Sequence, residues 1–552
     1  LMVPEQFTLQ AERDLIRKQN LPGLLDAEVL SFTRLAHKIF NEVGGLTRTH
    51  INEQGRHMIL RRLLDKLNDH LTVYKSVSRQ SGFIEKTNQL LSDLKKHDIT
   101  PDQLRRMAEK FQASPLLSGK LMDTALIYEA FQQYLEERYM DSEDAINALV
   151  DRIEQYQGLN GARIWLDGFD YFPPQSVRVL EKLALTAREL TITFTMDARG
   201  KSRDQDVFRV HALSLQKVRR IAKEYKIHEE FVYFPQEGHV NETKENAADL
   251  HRVPELAHLE RQLYQYPYQE YSEEVIHIEG FAAGNPESEI ERLAGRILSL
   301  SRTRGWRYRE MAVVSGALSV YGSLIKRVFT QYGIPFFLDE KRPVIQNPIV
   351  DLVLSCLRVT GRGYRYEEVF KLLKTGFCGL SRDQTELLEN YCLEYGIKGK
   401  KWKQPFHLGE KDYPLEVLND CRKLIMDPLT KLEEALKTSN NIREMVTALY
   451  FYLEDIKLQE QLEEWIEKLR QEGLWEQMNE NAQIWNIVME TFDQLAEILG
   501  DQKAGIDEFC RILESGFASL KAGIIPTTLD QVLIGSIQRS KSQDVKALFV
   551  VG

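Results

Sequence analysis

The sequence predicts an α/β protein with two parallel-sheet domains, each interrupted by a mainly helical insertion. Three observations lead to this prediction. Short apolar segments alternate with helical patterns at 163–196 and again at 311–358, which is typical of parallel strands covered by helices. Helical periodicity dominates the stretch before 163 and the stretch from 361 to about 521. Two last apolar segments, QVLIGSI and ALFVVG, have the composition of strands.

The first half of the chain combines one helical block with an α/β pattern. The opening residues LMVPEQFT read as a strand that runs into a loop, and the polar stretch 235–255 is the best linker candidate. Between them, apolar residues recur at spacings of three and four before the strand signals begin. The predicted elements are helices at 8–19, 55–67, 84–95, 101–112, 119–139 and 143–157, a strand at 163–167, a helix at 175–187 and a strand at 190–196.

The second half repeats this order. EVIHIEG reads as a strand, and the next helix is expected to begin near Asn285 and Pro286, a capping residue followed by proline. A second helical block and two final strands complete the pattern, which indicates a large-scale duplication. The elements predicted before that block are a strand at 311–315, a helix at 317–332, a strand at 334–338 and a helix at 346–358.

Size and composition indicate an ordinary multidomain protein. With 552 residues the chain is too long for one hydrophobic core, so three or four domains are expected. Apolar residues make up 43% and charged residues 28%, which is enough apolar material for buried cores. There is no long apolar run and no signal-peptide pattern, so we expect a cytoplasmic protein. Strand signals at both ends lead us to expect that the sequence is part of a longer chain.

Charge and cysteine usage argue against two classes of function. The net charge of −10 disfavours a protein that coats nucleic acid without specificity, although it is compatible with a local basic groove. The cysteines form no C-x-x-C pair and the histidines have no metal-binding spacing, so we predict no metal site and no catalytic residue within the chain. We expect reduced, mostly buried thiols at Cys356, Cys378, Cys392, Cys421 and Cys510.

Six segments, in order, resemble superfamily 1 DNA helicases of the UvrD and Rep type. SFTRLAHKIF is similar to the T-F-H-x-L-A-H-R loop and helix that lies under single-stranded DNA in those helicases. IWLDGFDYFPPQSVRVL resembles their D-E-x-Q strand, and DQVLIGSIQRSKSQDVKALFVVG resembles the segment that normally contains K-G-L-E. The other matching segments are VPEQFTLQAERDL, INEQGRHMILRRLL and MAVVSGALSVYGSLIKRVFTQYGIPFFLD.

Within that superfamily, VPEQFT, SFTRLA, DGF and QYGIPFFLDEKRPVIQNPI most resemble the B subunits of AddAB helicase–nucleases. The resemblance implies a superfamily 1A architecture with two RecA-like domains. The first is expected at 1–48 plus 161–270 with its helical insertion at 49–160, and the second at 271–360 plus 525–552 with its insertion at 361–524.

The same resemblance implies a function and its partners. Such a protein pairs with an AddA-like helicase–nuclease, and the heterodimer processes DNA double-strand breaks for recombinational repair. In such a heterodimer the AddB-like chain holds the unwound single strand and scans it for a Chi-type hotspot. The family also implies ATP and magnesium at an upstream P-loop, and a 4Fe-4S cluster with magnesium in a downstream nuclease domain, all outside the residues given.

The helicase motifs themselves are incomplete. A working ATPase of this class needs an Asp–Glu pair at the end of the D-E-x-Q strand, and this chain has Asp167 followed by Gly168. Ser315 stands where the second motor domain usually supplies an arginine, and Lys541 in KSQD lacks the Gly-Leu-Glu that normally follows. No G-x-x-x-x-G-K-[ST] loop occurs in the chain. We infer that the motor is disabled.

Five of the candidate DNA-binding residues lie near the first strand and in the quoted loop and helix. Phe32 is expected to stack on a base, while Arg34 contacts phosphate or a base edge and His37 adds a third contact. Alternatively, Phe32 covers the core and Arg34 pairs with a nearby acid. Gln6 and Thr8 start a helix whose free amides face phosphate, although Thr8 is equally suited to be that helix's N-cap.

Aromatic and basic segments add further candidates. Phe169, Tyr171 and Phe172 follow Asp167 in a proline-stiffened loop and are expected to meet single-stranded DNA; the alternative is that they fill a seam between domains. RTRGWRYR and IKGKKWK have the composition of a nucleic-acid surface, but each is also explained as an exposed turn.

Three other functions stay open on the sequence alone. An active helicase with divergent motifs would hydrolyse ATP without the second acid. A non-enzymatic scaffold would bind proteins through the acidic surface and would lack DNA affinity. A RecC-like protein shares the same eroded helicase pattern.

Overall fold

A computed structural model describes residues 1–20, 23–24, 26–45, 48–136, 138–196, 207–232, 253–339, 342–522, 530–537 and 545–552. These residues form two compact units. The first comprises Leu1–Asn52, Leu71–Tyr74 and Thr87–Phe281, and the second comprises Glu53–His70, Lys75–Lys86 and Ala282–Gly552. The protein is a mainly helical α/β protein with small parallel sheets, which confirms the predicted class at this level.

The helices for which bounds were predicted lie within about five residues of them. The first ten are α1 (Thr8–Lys18), α2 (Phe32–Val43), α3 (Glu53–Leu67), α4 (Ser81–Lys96), α5 (Pro101–Lys110), α6 (Pro115–Glu136), α7 (Ser142–Arg152), α8 (Pro174–Thr186), α9 (Arg209–Glu224) and α10 (Pro254–Gln262). The others are α11 (Pro286–Arg304), α12 (Leu318–Gln331), α13 (Pro348–Gly361), α14 (Tyr366–Leu373), α15 (Arg382–Tyr395), α16 (Leu415–Thr438), α17 (Ile442–Asp455), α18 (Leu458–Gln471), α19 (Trp475–Ala482), α20 (Ile484–Leu499) and α21 (Ile506–Ser519).

The strands are short. They are β1 (Thr49–His50), β2 (Tyr139–Met140), β3 (Arg163–Leu166), β4 (Glu189–Ile192), β5 (Met311–Ser315), β6 (Phe336–Leu338), β7 (Arg342–Pro343), β8 (Lys521–Ala522), β9 (Val532–Ser536) and β10 (Ala547–Val551).

The first sheet lies in the first unit. β3 and β4 pair in parallel, and Met2 adds parallel bridges to Leu30 and to Leu166. Ile164 and Leu166 are buried in the same core as Met2, whereas Trp165 between them is 43% exposed. β3 therefore alternates between a buried and an exposed face, as a strand covered on one side does, rather than being covered on both sides as predicted.

The second sheet lies in the second unit and has the strand order β10, β5, β9, β6. All three pairings are parallel. β5 is buried along its whole length, which fits its continuous apolar sequence MAVVS. β10 pairs with β5 alone among the described residues and exposes Leu548 and Val550.

Each helical block is bracketed by a short strand pair. β1 and β2 pair in parallel around the first block, and β7 and β8 pair antiparallel around the second. α3 nevertheless belongs to the second unit, where it packs against α21 so closely that a Cβ at Gly516 would lie 3.1 Å from the Met58 sulfur. The four-part domain division made from the sequence stays a prediction.

One predicted strand is wrong. EVIHIEG lies in the described residues, yet it forms no strand. The backbone N–H groups of Ile276 and His277 donate to the carboxylate of Glu255 on α10 instead of to a neighbouring strand. The next helix begins as predicted: Asn285 caps α11 by accepting a hydrogen bond from the Ser288 amide, 2.9 Å away.

The cysteines and the helix lengths agree with the composition. All five cysteines are free and buried, as expected, and burial raises the pKa of the Cys378 thiol to about 12. Within the described ranges, no helix is both long enough and apolar enough to cross a membrane.

Candidate nucleic-acid interface

The candidate site lies at the carboxyl edge of the first sheet. The segments around Met2 and Leu30 and the strands β3 and β4 run in parallel, so the residues that follow each of them emerge at one edge. Backbone hydrogen bonds fix this arrangement: the Asp167 amide donates to Met2 O at 2.9 Å, and the Val3 amide donates to Leu30 O at 3.0 Å. Ligands of parallel α/β sheets commonly bind at this edge.

The start of α2 joins two of these loops. Ser31 is the N-cap, because its hydroxyl accepts from the Arg34 amide at 3.2 Å, and the same hydroxyl donates to the Glu5 carboxylate. Arg34 Nε lies 3.3 Å from Glu5 Oε1, and both side chains are more than half exposed. Arg34 therefore pairs with an acid, which is the alternative that the sequence left open. The sequence analysis missed Glu5; its only signal was a carboxylate directly after the first strand.

The other residues of this region have different exposures. Gln6 is exposed in a short 3-10 helix before α1. Thr8 is the first residue of α1 rather than its cap; it is buried, and its hydroxyl donates to the Glu5 carbonyl at 3.0 Å. The ring of His37 is half-buried, 5.5 Å from the ring of His50. Gln6 thus faces solvent, whereas Thr8 supports the turn that carries Glu5.

Aromatic rings connect two of the loops. The ring of Phe32 meets the ring of Phe169 edge to face at 5.4 Å, and Phe169 lies 5.5 Å from Phe172. Phe32 and Phe169 are half-buried and pack against the core of the first unit, so each is only partly accessible. Phe172 is fully buried in the core, which leaves it no direct access to a base in this conformation.

Tyr171 is held at the surface by groups that the sequence analysis did not identify. Its ring is 38% exposed and stacks on His97 at 6.3 Å. Lys217 on α9 lies 4.2 Å from the centre of the same ring, and its amine donates to the Tyr171 hydroxyl at 3.1 Å and to Phe172 O at 2.8 Å. A cation thus stands directly beside the aromatic loop.

The degenerate motif positions have local explanations. The exposed Asp167 carboxylate accepts from the Thr193 hydroxyl at 2.6 Å. Gly168 has a φ of +75°, a conformation that a glutamate would adopt only with strain, so the missing acid fits the backbone. Ser315 is buried and accepts from the Ala317 amide at 3.0 Å. Lys541 lies outside the described residues.

The two basic segments connect longer elements, and IKGKKWK is not simply an exposed turn, because Gly399–Lys403 forms a 3-10 helix. In RTRGWRYR, Gly305 ends α11 in the left-handed conformation, and Arg304 lies over the ring of Trp306 at 5.5 Å. In IKGKKWK, Trp402 is fully buried and Lys403 Nζ lies 2.6 Å from the Glu433 carboxylate. Among the described residues no group of three or more His, Cys, Asp and Glu side chains could hold a metal ion.

Comparison with known proteins gives consistent results. A sequence profile described as "ADDB, N-terminal" matches residues 1–260. A protein from Alkaliphilus metalliredigens (strain QYMF), described as the B subunit of an ATP-dependent helicase/deoxyribonuclease, is 46% identical over 569 residues, which cover all of this chain and 49% of that protein. Proteins with the same description from Alkaliphilus oremlandii and Acetivibrio thermocellus are 45% and 38% identical, with the same coverage. The chain spans about half the length of these curated relatives.

Proposed function

We propose that this chain, which is similar over its whole length to B subunits of ATP-dependent helicase/deoxyribonucleases, forms the helicase-like, DNA-binding body of an AddB subunit. In this proposal an AddA-like partner supplies the motor, and the heterodimer processes double-strand breaks for recombinational repair. The chain binds the unwound single strand as it emerges and scans it for a hotspot sequence. It acts by recognition and carries out no chemical step.

One observation carries the proposal: the rings of Phe32 and Phe169 meet at the carboxyl edge of the first sheet, and the exposed Arg34 lies in the same turn of α2 as Phe32. Partly accessible aromatic rings near a guanidinium suit a single strand, because unpaired bases stack on rings while cations contact phosphates. Each stacked base is typically worth about 1–3 kcal/mol. An α/β enzyme of the hydrolase type would instead present a nucleophile and a base at this edge.

In this proposal the role of each residue depends on how exposed its side chain is. Phe32 and Phe169 stack bases, Arg34 and Gln6 contact phosphate or base edges, and Tyr171 extends the aromatic surface. The half-buried His37 adds a further contact beside Arg34. Thr8 and Phe172 are buried and act behind this surface, where they hold the turn and the loop in place. Glu5 keeps Arg34 at the edge and also sets a negative charge beside it, so DNA has to compete with Glu5 for the guanidinium.

We assign the two sheets to the RecA-like domains of a superfamily 1A helicase, with insertions at 49–160 and 361–524. The strand pairs that bracket each helical block support this assignment. Asp167 has no second acid beside it, and the buried, widely spaced cysteines do not fit an iron–sulfur cluster. We therefore derive no step through ATP, magnesium or a 4Fe-4S cluster from these residues.

The test is the affinity of the intact native protein for single-stranded DNA. Phe32→Ala with Arg34→Ala removes a stacking ring and a cation, so we expect the Kd to rise at least tenfold and the response to the hotspot to weaken. Glu5→Gln keeps a hydrogen-bond acceptor for Ser31 and removes the competing charge, so we expect it to lower the Kd by about threefold. Fluorescence anisotropy with a labelled oligonucleotide measures both.

Phe172→Leu is the matched control. It changes a ring of the same cluster that is fully buried, so we expect lower stability and an unchanged Kd. An unchanged Kd and hotspot response in the Phe32/Arg34 double variant would show that these residues serve only the fold. DNA-stimulated ATP turnover by the protein without its partner would instead favour an active helicase.

A further inference from the structure

A cationic cavity lies at the carboxyl-terminal end of α9 in the first unit. Its volume is about 580 Å³, and it is open to solvent. The polar side chains that line it are Gln216, Arg219, Arg220, Lys223, Lys226 and Glu229. Four cations thus surround one carboxylate in a protein whose net charge is −10. We call this group of residues the α9 cup.

Most of these cations have no ion-pair partner within the described part of the chain. Arg219 Nε lies 3.1 Å from Glu229, and its guanidinium lies over the ring of Phe231 at 5.5 Å. Arg220, Lys223 and Lys226 have no carboxylate partner among the described residues, and all three are exposed. Like charges on neighbouring helix positions repel one another, so an anion bound in the cup would relieve this repulsion.

The cup is connected to the candidate interface by the same helix. Lys217, one turn before Arg220, contacts both Tyr171 and Phe172 O. Lys223 lies six residues after Lys217, which is roughly 9 Å along the helix axis. Basic side chains therefore extend along α9 from the aromatic loop to the cup, all within the first unit.

We propose that the α9 cup binds the phosphodiester backbone of the DNA strand whose bases lie at the carboxyl edge of the first sheet. This inference rests on the proposed function and deepens it by naming a backbone track. Arginine forks and lysine amines match phosphate oxygens, and contacts to phosphate position a strand without reading its sequence. The cup thereby holds the strand in register while the aromatic residues contact its bases.

The test compares two double variants of the intact native protein in the absence of ATP. Arg220→Gln with Lys223→Gln removes two cations of the cup. Arg106→Gln with Lys110→Gln on α5 removes the same charge from exposed helix positions outside the cup. The Kd for a labelled oligothymidine is measured from about 50 to 200 mM salt, and the slope of log K against log salt counts the phosphate contacts.

We expect the cup variant to lose about 1.4 from the slope, since each phosphate contact of a single strand contributes about 0.7. The ratio of its Kd to the wild-type Kd therefore falls about sevenfold as the salt concentration rises from about 50 to 200 mM. Arg220→Lys with Lys223→Arg keeps both charges and should restore the slope. Phe32→Ala should weaken DNA binding without changing the salt slope.

The outcomes separate the two proposals. If the wild-type protein binds DNA and the cup and α5 variants share its slope, the cup does not contact the backbone and the proposed function stands. If the slope falls equally in both variants, general charge rather than the cup is responsible, and the inference fails. Absence of DNA binding by the wild-type protein at low salt overturns both.

Discussion

α3 and α9 are helices of similar length with similar numbers of cations, and the structure uses those cations in opposite ways. α3 has 15 residues and buries Arg56, Arg61 and Arg62 within the second unit. α9 has 16 residues and leaves Arg220 and Lys223 exposed in the first unit. Sequence composition alone does not distinguish the two helices.

Pairing accounts for the difference. Arg62 donates to Glu508 at 2.5 Å, to Gln502 at 2.6 Å and to Lys503 O at 2.7 Å, so each of its three side-chain nitrogens has a partner inside the unit. Burial of a cation without such partners costs several kcal/mol, and the fold therefore provides them. Cations such as Arg220 and Lys223 on α9, which have no carboxylate partner in the described ranges, are available to a ligand.

The largest effect is expected from Arg62→Ala. The substitution leaves the Glu508 carboxylate without its partner and opens space beside α21, so we expect the second unit to lose about 3 kcal/mol of unfolding free energy. Hydrogen exchange of α3 and α21 amides during urea titration measures this loss unit by unit. Arg62→Lys is the control, because it keeps the charge but loses the fork of hydrogen bonds. A loss below about 0.5 kcal/mol for Arg62→Ala would mean that the buried cations of α3 do not stabilise the fold.

The next effect concerns pH and the same helix. Desolvation, with a smaller contribution from Arg56, lowers the pKa of the His57 imidazole to about 4. An unfolded histidine has a pKa of about 6.5, so the unfolded state binds a proton more readily than the folded state. The contribution of neutral His57 to the unfolding free energy is fully present above about pH 6.5 and is lost as the pH falls toward 4.

We expect the second unit to be about 2 kcal/mol less stable at pH 5 than at pH 7.5 because of His57. His57→Gln removes the titrating group and should flatten this part of the pH profile. His57 Nε2 has no hydrogen-bond partner among the described residues, so the substitution breaks no bond at that atom. An identical profile for the variant and the wild type between pH 7.5 and 5 would contradict the buried, neutral state of His57.

The α3 helix shows which features of the fold can be predicted from the local sequence. Its bounds follow within two residues from apolar periodicity. Those of β5 follow from a continuous apolar segment, and the start of α11 follows from a capping asparagine before a proline. The burial of α3 does not follow, because Gln54 and Arg62 find partners at Thr491 and Gln502, 437 and 440 residues away in the sequence. A helix rich in arginine reads as a solvent-exposed helix when such partners are unknown.

In the candidate interface, too, some features can be predicted from the sequence and others cannot. The segment order predicts that Phe32, Arg34 and Phe169 follow strands at one edge of a sheet. The loop after β3 is irregular, so no regular spacing of residues predicts which of its side chains are buried. Phe172 in the core and half-buried Phe169 therefore look alike in the sequence. Glu5 reaches Ser31 and Arg34 only through the turn that Thr8 supports, and no local pattern marks that contact.

The smallest effect is expected from Arg220→Ala with Lys223→Ala on α9. Both side chains are exposed and have no carboxylate partner among the described residues, so their removal breaks no ion pair and relieves repulsion within the α9 cup. We expect the unfolding free energy of the first unit to change by less than about 0.5 kcal/mol, measured by hydrogen exchange of α8 and α9 amides. Lys217→Ala is the contrasting control on the same helix: it breaks two hydrogen bonds to the loop after β3 and should cost about 1 kcal/mol. A comparable loss in the Arg220/Lys223 variant would mean that these cations do serve the fold, and the contrast between α9 and α3 would then disappear.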